Sequence, residues 1–192
     1  MEKIVKDIFH ESAETLTSFI DDNAKLLVEC AVVMKDALAD GKKVLFFGNG
    51  GSAGDAQHLA GELVNRFLIK DRPALAGIAL TTDTSVLTCI ANDSNFDYVF
   101  SRQVEALGKR GDIAFGISTS GNSQNVINAF QSAKKLGMVT IALTGNSGGK
   151  MKELADYTIN VYSTITPRIQ EAHITIGHTL CQLIESYLYG NG

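Results

Sequence analysis

The 192-residue sequence has no tryptophan, two prolines and three cysteines. Neither Pro73 nor Pro167 lies inside an apolar run, so neither argues against a strand in any of these runs. Cys30, Cys89 and Cys181 are odd in number, far apart and each in an apolar neighbourhood, which disfavours a disulfide framework or a cysteine-based zinc site. We therefore expect buried free thiols in a reducing compartment. The N-terminus is unlike a signal peptide, so we predict a cytoplasmic protein.

Clustered charge and long apolar runs are also missing. The formal net charge is −4, and lysines and arginines are spread along the chain, so no basic patch for nucleic acid is predicted. No apolar run approaches the length of a membrane span. About 45% of the residues are hydrophobic, as in soluble globular proteins. The length allows a sizeable core, and we expect one α/β domain over residues 1–192, with no nucleic-acid or membrane partner.

Apolar residues in the first 40 positions recur at three- and four-residue steps, as on the buried face of a helix. We predict two amphipathic helices, separated near residues 21–24 and ended by Gly41. The chain then changes to short continuous apolar runs, which are typical of strands buried on both faces. These runs lie at 43–48, 75–80, 112–118, 139–145 and 157–162. Helical patterns lie at 52–67, 83–91, 97–109, 122–136, 148–154 and 168–189.

The alternation of strands and helices predicts an α/β fold in which a five-stranded parallel sheet has helices on both faces. Two segments repeat one pattern. VLFFGNGGSAGDAQ and IAFGISTSGNSQNV each run from an apolar strand through a loop of glycine and small polar residues into a helix. Because open α/β sheets bind ligands at the carboxyl ends of their strands, we expect the two loops to form one binding edge.

The second of these loops, STSGNS at 118–123, has the features of an anion site. Its four hydroxyls, on Ser118, Thr119, Ser120 and Ser123, accompany the N–H groups of a helix N-terminus. The lysine of nucleoside-triphosphate loops is missing, so a monoester phosphate is the better ligand. The alternative is that these residues only cap the helix.

The first loop, GNGGSAG, does not fit a dinucleotide site, because the next strand ends in threonines instead of an acidic residue. We predict that its backbone approaches a bound ligand. Farther along, the ANDSN segment is compatible with either a functional aspartate or a plain turn. The candidate residues are Asn49, Gly50, Gly51 and Ser52 in the first loop and Asn92 and Asp93 in the second segment.

Three of the four histidines fall in two helical segments. His58 and Glu62 are four residues apart on one helix face, and the last helix carries Gln170, His173 and His178. Imidazole and carboxylate groups from two helices can hold a divalent metal such as zinc, and they can equally form an acid–base couple. Spacing alone does not decide between these, nor between His173 and His178. An ordinary exposed His–Glu pair is the remaining alternative.

FGNGGSAGDAQHLAGEL, ANDSNFDYVFSRQVEALGKRGDIAFGISTSGNS and RIQEAHITIGHTLCQLIE together resemble the phosphoheptose isomerase family, whose members have the sugar isomerase (SIS) fold. The resemblance covers nearly the whole chain. It implies conversion of sedoheptulose 7-phosphate into D-glycero-D-manno-heptose 7-phosphate, the first step towards nucleotide-activated heptose for glycans such as lipopolysaccharide. It also implies a homotetramer in which the terminal helices pack between subunits and the sites lie near subunit interfaces.

The resemblance also implies roles for individual residues. We assign Glu62 as the base and His178 as the partner acid or base, because aldose–ketose exchange moves a proton between C1 and C2. One departure is Pro167, where relatives often carry an acidic residue. The implied zinc ligands are His58, Glu62, Gln170 and His178. The implied substrate-binding residues are Asn49, Gly50, Gly51, Ser52, Glu62, Asn92, Asp93, Ser118, Thr119, Ser120, Ser123 and Gln170.

A different class of function shares this fold. Some SIS proteins are adaptors that bind a replication initiator, and others are sensors that bind phosphosugars without turnover. An adaptor has no need for His58, Glu62, Gln170 and His178 together, and this chain has all four. We therefore favour the isomerase.

Overall fold

A computed structural model describes residues 1–190 of the chain. Its five strands form one parallel sheet in the order β2-β1-β3-β4-β5. The strands are β1 Val44–Gly48, β2 Gly77–Ala79, β3 Ile113–Ser118, β4 Val139–Gly145 and β5 Tyr157–Val161. The helices are α1 Glu2–Ala39, α2 Gly51–Val64, α3 Thr84–Asp93, α4 Ser101–Leu107, α5 Gln124–Lys135, α6 Met151–Leu154 and α7 Thr166–Tyr189, and Phe96–Tyr98 forms a 3₁₀ turn.

The sheet is covered on both faces, as the continuous apolar runs predict. Successive side chains of a strand point to opposite faces. In β1, Phe46 joins a buried cluster with α1, α2 and α7, whereas Leu45 and Phe47 join a second cluster with α4 and α5. Every residue of β1 and β3 is buried. The predicted three-layer α/β architecture is therefore confirmed.

The predicted break near residues 21–24 is wrong, because α1 runs without interruption over 38 residues. This segment contains no proline or glycine, and the Asn23 amide donates to the Phe19 carbonyl (2.8 Å) without leaving the helix. The helix ends as expected before Gly41, which has a φ of +71°. Large apolar side chains are exposed on its first turns: Ile4, Val5, Ile8 and Phe9.

Other boundaries differ from the sequence pattern, and the clearest differences are in the segments 75–80 and 97–109. The run at 75–80 yields a strand of only three residues, because β2 is the edge strand and pairs with β1 alone. The pattern at 97–109 divides into the 3₁₀ turn and α4. Cys30 and Cys181 are buried free thiols as expected, but the same expectation for Cys89 is wrong. Cys89 is exposed because α3 has no buried residue.

Helices α2 and α7 lie side by side in parallel, and this pairing places the polar residues of the site. Gln170 contacts Gly51 at the start of α2. About two turns further along both helices, His178 contacts His58. Between these points Gly177 allows the close approach, since a Cβ there would lie 2.5 Å from Leu59 Cδ2. Among residues 1–190, no helix combines the length and apolar character that crossing a membrane requires.

Candidate active site

The first half of the candidate site lies where the strand order reverses. In the order β2-β1-β3-β4-β5 the crossovers from β1 and β3 leave in opposite directions, which opens a crevice at their carboxyl ends. A reciprocal amide pair joins the two loops there. Asn49 Nδ2 donates to Asn125 Oδ1 (2.9 Å), and Asn125 Nδ2 donates to Asn49 Oδ1 (2.8 Å). Asn125 is buried, and no sequence pattern singled it out.

The three serine hydroxyls of the 118–123 loop face one another. Ser118 Oγ lies 2.9 Å from Ser123 Oγ and 3.4 Å from Ser120 Oγ. Ser123 is the N-cap residue of α5, yet its side chain makes no capping hydrogen bond. Simple helix capping therefore does not account for this serine. The converging hydroxyls and the first N–H groups of α5 form a group of donors suited to an anion.

The neighbouring loop after β4 holds the 118–123 loop in place. Gly121 has a φ of +64°, and its carbonyl accepts from the Met151 N–H (3.0 Å). The Lys150 N–H donates to Asn122 Oδ1 (3.1 Å). A Cβ on Gly121 would collide with the Gly148 carbonyl. The 118–123 loop, called here the anion loop because its donors suit an anion, is thus held in shape by contacts within the protein.

The GNGG loop needs its glycines for two reasons. Gly50 has a φ of +56°, in the left-handed region that favours glycine. Gly48 lies so close to β3 that a Cβ would be 2.8 Å from the Ile117 carbonyl oxygen. Gly51 meets the side-chain amide of Gln170, while Ser52 is buried behind the turn. The loop therefore presents backbone, and not Ser52, to the crevice.

The second half of the candidate site is a cluster of His58, Glu62 and His178, called here the imidazole cluster. His58 Nε2 lies 3.0 Å from Glu62 Oε1 and 3.0 Å from His178 Nε2. The side chains of His58 and Glu62 are 47% and 23% exposed. One potential ligand atom of each residue lies within 4.8 Å of the others.

The donor set of the imidazole cluster fits a divalent metal. The two facing imidazole nitrogens cannot both carry a proton at 3.0 Å, because two N–H groups would then point at each other. Two nitrogens bound to zinc at about 2.1 Å in a tetrahedral site are roughly 3.4 Å apart, close to the 3.0 Å here. Two histidines and a glutamate also form a known type of catalytic zinc site. The cluster can therefore hold a metal.

The two histidines of α7 have different surroundings. His178 stacks beside Phe67, with 5.3 Å between ring centroids. His173 is fully buried, and its Nε2 donates to the Thr144 carbonyl (2.9 Å). Burial lowers the pKa of His173 to about 4, against the opposing effect of this hydrogen bond. The structure thus brings His178, and not His173, to His58 and Glu62.

Several predicted residues lie outside the imidazole cluster. Gln170 is eight residues before His178 on α7, about 12 Å along the helix axis, and it contacts Gly51. Its role as a metal ligand stays a prediction. Asn92 and Asp93 are exposed in the last turn of α3, where the Asn92 amide donates to Asp93 Oδ1 (2.8 Å). The helix continues through both residues instead of turning there.

Asp55 and Phe67 are further residues beside the cluster that sequence reasoning missed. Asp55 is one turn before His58, and its Oδ2 is buried with no partner among the described residues. Burial raises the pKa of Asp55 to about 6, although the nearby His58 acts to lower it. The spacing of Asp55 and His58 on one helix face could have found the first residue. Phe67 lies in a loop and gave no such signal.

Comparisons with known proteins cover nearly the whole chain. A family model described as "SIS domain" matches residues 7–145. The phosphoheptose isomerase of Aquifex aeolicus is 56% identical over 181 residues, covering 94% of each chain. The structure of phosphoheptose isomerase from Neisseria gonorrhoeae superposes with a TM-score of 0.91 at 45% identity, covering 96% of this chain and 98% of the other. That from Francisella tularensis gives 0.93 at 36% identity, covering 96% and 97%.

Proposed function

The chain belongs to the phosphoheptose isomerase family of SIS-domain proteins, and we propose that it converts sedoheptulose 7-phosphate into D-glycero-D-manno-heptose 7-phosphate through an enediol. The observation that carries this proposal is the presence in one chain of a preformed anion loop and a His–Glu–His cluster. An adaptor or a sensor needs at most the first of these. The heptose product would then enter the synthesis of nucleotide-activated heptose.

The anion loop takes the phosphate in this proposal. The hydroxyls of the 118–123 loop and the first N–H groups of α5 surround it without a basic side chain. The phosphate fixes one end of the sugar, so that C1 and C2 are held at the acid–base groups. The phosphate-binding residues are Ser118, Thr119, Ser120 and Ser123, and the sugar contacts are Asn49, Gly50, Gly51, Asn92, Asp93 and Gln170.

The imidazole cluster carries out the proton transfers. Glu62 removes a proton from C1 of the ketose, which leaves an enediol, and returns a proton to C2 to form the aldose. His178 moves the second proton between the oxygens on C1 and C2. Both side chains are partly open to solvent, so a sugar can reach them.

Zinc is the metal we propose for the cluster, with His58, Glu62 and His178 as ligands. Because Gln170 lies about 12 Å from His178 along α7, it would supply a fourth ligand only from another subunit. When bound, the zinc would polarise the substrate carbonyl and stabilise the charge that develops on its oxygen. Glu62 and His178 cannot be tight ligands and free proton carriers at once. The metal is therefore either loosely held and partly displaced by substrate, or it orients the substrate without replacing the acid–base pair.

The length of α2 supports a site that a second copy completes. Gly51 and Glu62 are eleven residues apart, which is about 16 Å along the helix. The eight bonds from the phosphorus to C1 of the sugar span only about 10 Å when extended. A phosphate in the 118–123 loop would then present C1 to the Glu62 of another subunit.

A homotetramer provides such a neighbour, and the exposed apolar residues of α1 are suited to its contacts. We propose that α1 and α7 pack between subunits, that residues 1–192 act as one SIS domain, and that the enzyme works in the cytoplasm. The four apolar side chains on the first turns of α1 contact no core of their own chain. Such a patch is typical of an interface.

The proposed function is tested by incubating the purified protein with sedoheptulose 7-phosphate, with and without a chelator. We expect heptose 7-phosphate to appear, and the chelator to slow its formation if the metal takes part. Sedimentation under the same conditions reports the oligomer. Absence of product both with and without added zinc would overturn the isomerase and favour the adaptor.

A further inference from the structure

Glu185, in the last third of α7, is a buried carboxylate outside the imidazole cluster, 1% exposed. Four donors surround it. Its Oε1 accepts from Arg72 Nε and from the Phe67 N–H, both at 2.6 Å, and its Oε2 accepts from the N–H groups of Leu68 and Ile69, both at 2.8 Å. The loop after α2 is therefore wrapped around a single side chain of α7.

Arg72 extends this network to the cluster. Its side chain is fully buried, and its Nη2 donates to the backbone carbonyl of Glu62 (2.6 Å). Its Nη1 donates to the Pro73 carbonyl (2.7 Å). The planar guanidinium spans Glu185 and Glu62 with fixed geometry, which a lysine ammonium cannot reproduce.

The Glu185 carboxylate thus connects to two of the three members of the cluster, Glu62 and His178. Through Arg72 it holds the last turn of α2, where Glu62 lies. Through the Phe67 N–H it holds the residue whose ring stacks on His178. Through its own helix it is joined to His178, seven residues earlier.

We propose that Glu185 and Arg72 are positioning residues that set the distance and orientation of Glu62 and His178 for the proposed isomerase reaction. Neither side chain has to touch the substrate. The inference rests on the proposed function, because orientation of these two groups matters only if they transfer protons. Displacement of reacting groups by about 1 Å can cost roughly 100-fold in rate.

The charge of Glu185 does not vary over working conditions. Burial alone would raise the pKa of this carboxyl, but the hydrogen bonds from Arg72 and the three backbone groups lower it to about 2. The Glu185–Arg72 ion pair therefore stays charged on both sides near neutral pH and does not respond to pH there.

The chain offers a matched control. Asp112, just before β3, is also 1% exposed, and its carboxylate accepts from Lys43 Nζ (2.5 Å) and from the N–H groups of Lys43 and Lys109. This network shares no hydrogen-bond partner with the imidazole cluster. Glu185→Gln and Asp112→Asn each remove one buried charge while keeping the size of the side chain.

The experiment compares these two variants and Arg72→Lys with the wild-type protein. Melting temperature reports stability, steady-state kinetics with sedoheptulose 7-phosphate report kcat and KM, and NMR of the imidazole C–H groups reports the ring environment of His178. We expect both neutralising variants to lower the melting temperature. We expect Glu185→Gln and Arg72→Lys to lower kcat about 10- to 100-fold with little change in KM, and to shift the His178 resonances that Phe67 influences.

Asp112→Asn should leave kcat and the His178 resonances near their wild-type values. If Glu185→Gln does not fold, Arg72→Lys tests the same inference, because it keeps the charge and loses the bridge to Glu62. Equal kcat values and unshifted His178 resonances in the folded variants would overturn the positioning role. An inactive wild-type protein whose His178 resonances still shift in the variants would count against the isomerase and not against the contact network.

Discussion

The anion loop and the imidazole cluster are built in opposite ways. The loop is braced on every side, with Gly121 pressed against the loop after β4 and Asn49 paired with Asn125. In the imidazole cluster, by contrast, three potential ligand atoms face one another, and His58 is half exposed.

The difference separates phosphate binding, for which one chain has all the groups, from proton transfer, for which it does not. A phosphate can bind to hydroxyls and N–H groups that are already in place. The cluster needs a cation or a proton among its facing atoms and, in the mechanism proposed above, a substrate held by another copy. Binding and chemistry should therefore respond to different substitutions.

The sharpest separation is expected from Glu62→Gln. The change keeps the shape of the side chain but removes the base, so kcat should fall about 1,000-fold or more. The dissociation constant for sedoheptulose 7-phosphate, measured by calorimetry, should stay within about threefold, because the anion loop is intact. Turnover at the wild-type rate would exclude Glu62 as the base.

Acid should weaken the connection between the two regions, because His173 holds α7 to the end of β4 between Gln170 and His178. Its pKa is about 4 in the folded protein and 6.5 in an unstructured peptide, so protonation favours the unfolded chain. Stability is then complete above pH 6.5 and falls by about 3 kcal/mol as the pH drops to 4.

Denaturant titrations across this pH range measure the loss. His173→Gln provides the control, because its amide can still donate to the Thr144 carbonyl but does not titrate in this range. The unfolding free energy of this variant should change less between pH 6.5 and 4. An equal slope in both proteins would mean that other groups control the acid lability.

The bracing of the anion loop is tested by Gly121→Ala. The added Cβ meets the Gly148 carbonyl and the φ of +64° is unfavourable, so we expect a loss of about 3 kcal/mol in the free energy of unfolding and a higher KM. Gly41→Ala is the control, since Gly41 has a φ of +71° with nothing within 4 Å of a Cβ. It should cost only about 1 kcal/mol. Equal losses would show that the loop contact contributes nothing.

The smallest effect is expected from Ser123→Ala, which removes one of the converging hydroxyls. A hydrogen bond to a charged phosphate is worth about 1.5–3 kcal/mol, so KM should rise roughly 10-fold or more while kcat changes less. Ser132→Ala, on the same helix, removes a hydroxyl that bonds Glu105 and should leave KM unchanged. A fall in kcat alone would remove Ser123 from the phosphate site.

The fold could be predicted because its signals are local. Continuous apolar runs identified all five strands, and β4 has the predicted bounds. The predicted break in α1 failed because residues 21–24 are polar but not helix-breaking, and one polar face is normal for a helix. The polar residues 21–24 were interpreted as a break in the helix, although they lie on its polar face. Cys89 failed for a related reason, because an apolar neighbourhood in sequence does not reveal that α3 packs at an edge.

The site was predictable only in part. Hydroxyl-rich and glycine-rich loops after strands indicate an anion edge by themselves, but the meeting of His58 with His178 depends on the parallel packing of α2 and α7 across 120 residues of sequence. The partners that support the site, Asn125, Arg72 and Glu185, carry no motif. Their importance comes from burial and from donors supplied by distant parts of the chain, which appear only in three dimensions.

Gly177 determines how closely α7 packs on α2 beside the imidazole cluster. It precedes His178 by one residue, and the absence of a side chain there lets α7 rest directly on Leu59. A side chain added at this position would have to displace Leu59 or move the two helices apart, and the second change would lengthen the separation of the two imidazole nitrogens. The distance between the two imidazole nitrogens could then be changed at a residue that has no ligand atom, with His58, Glu62 and His178 left as they are.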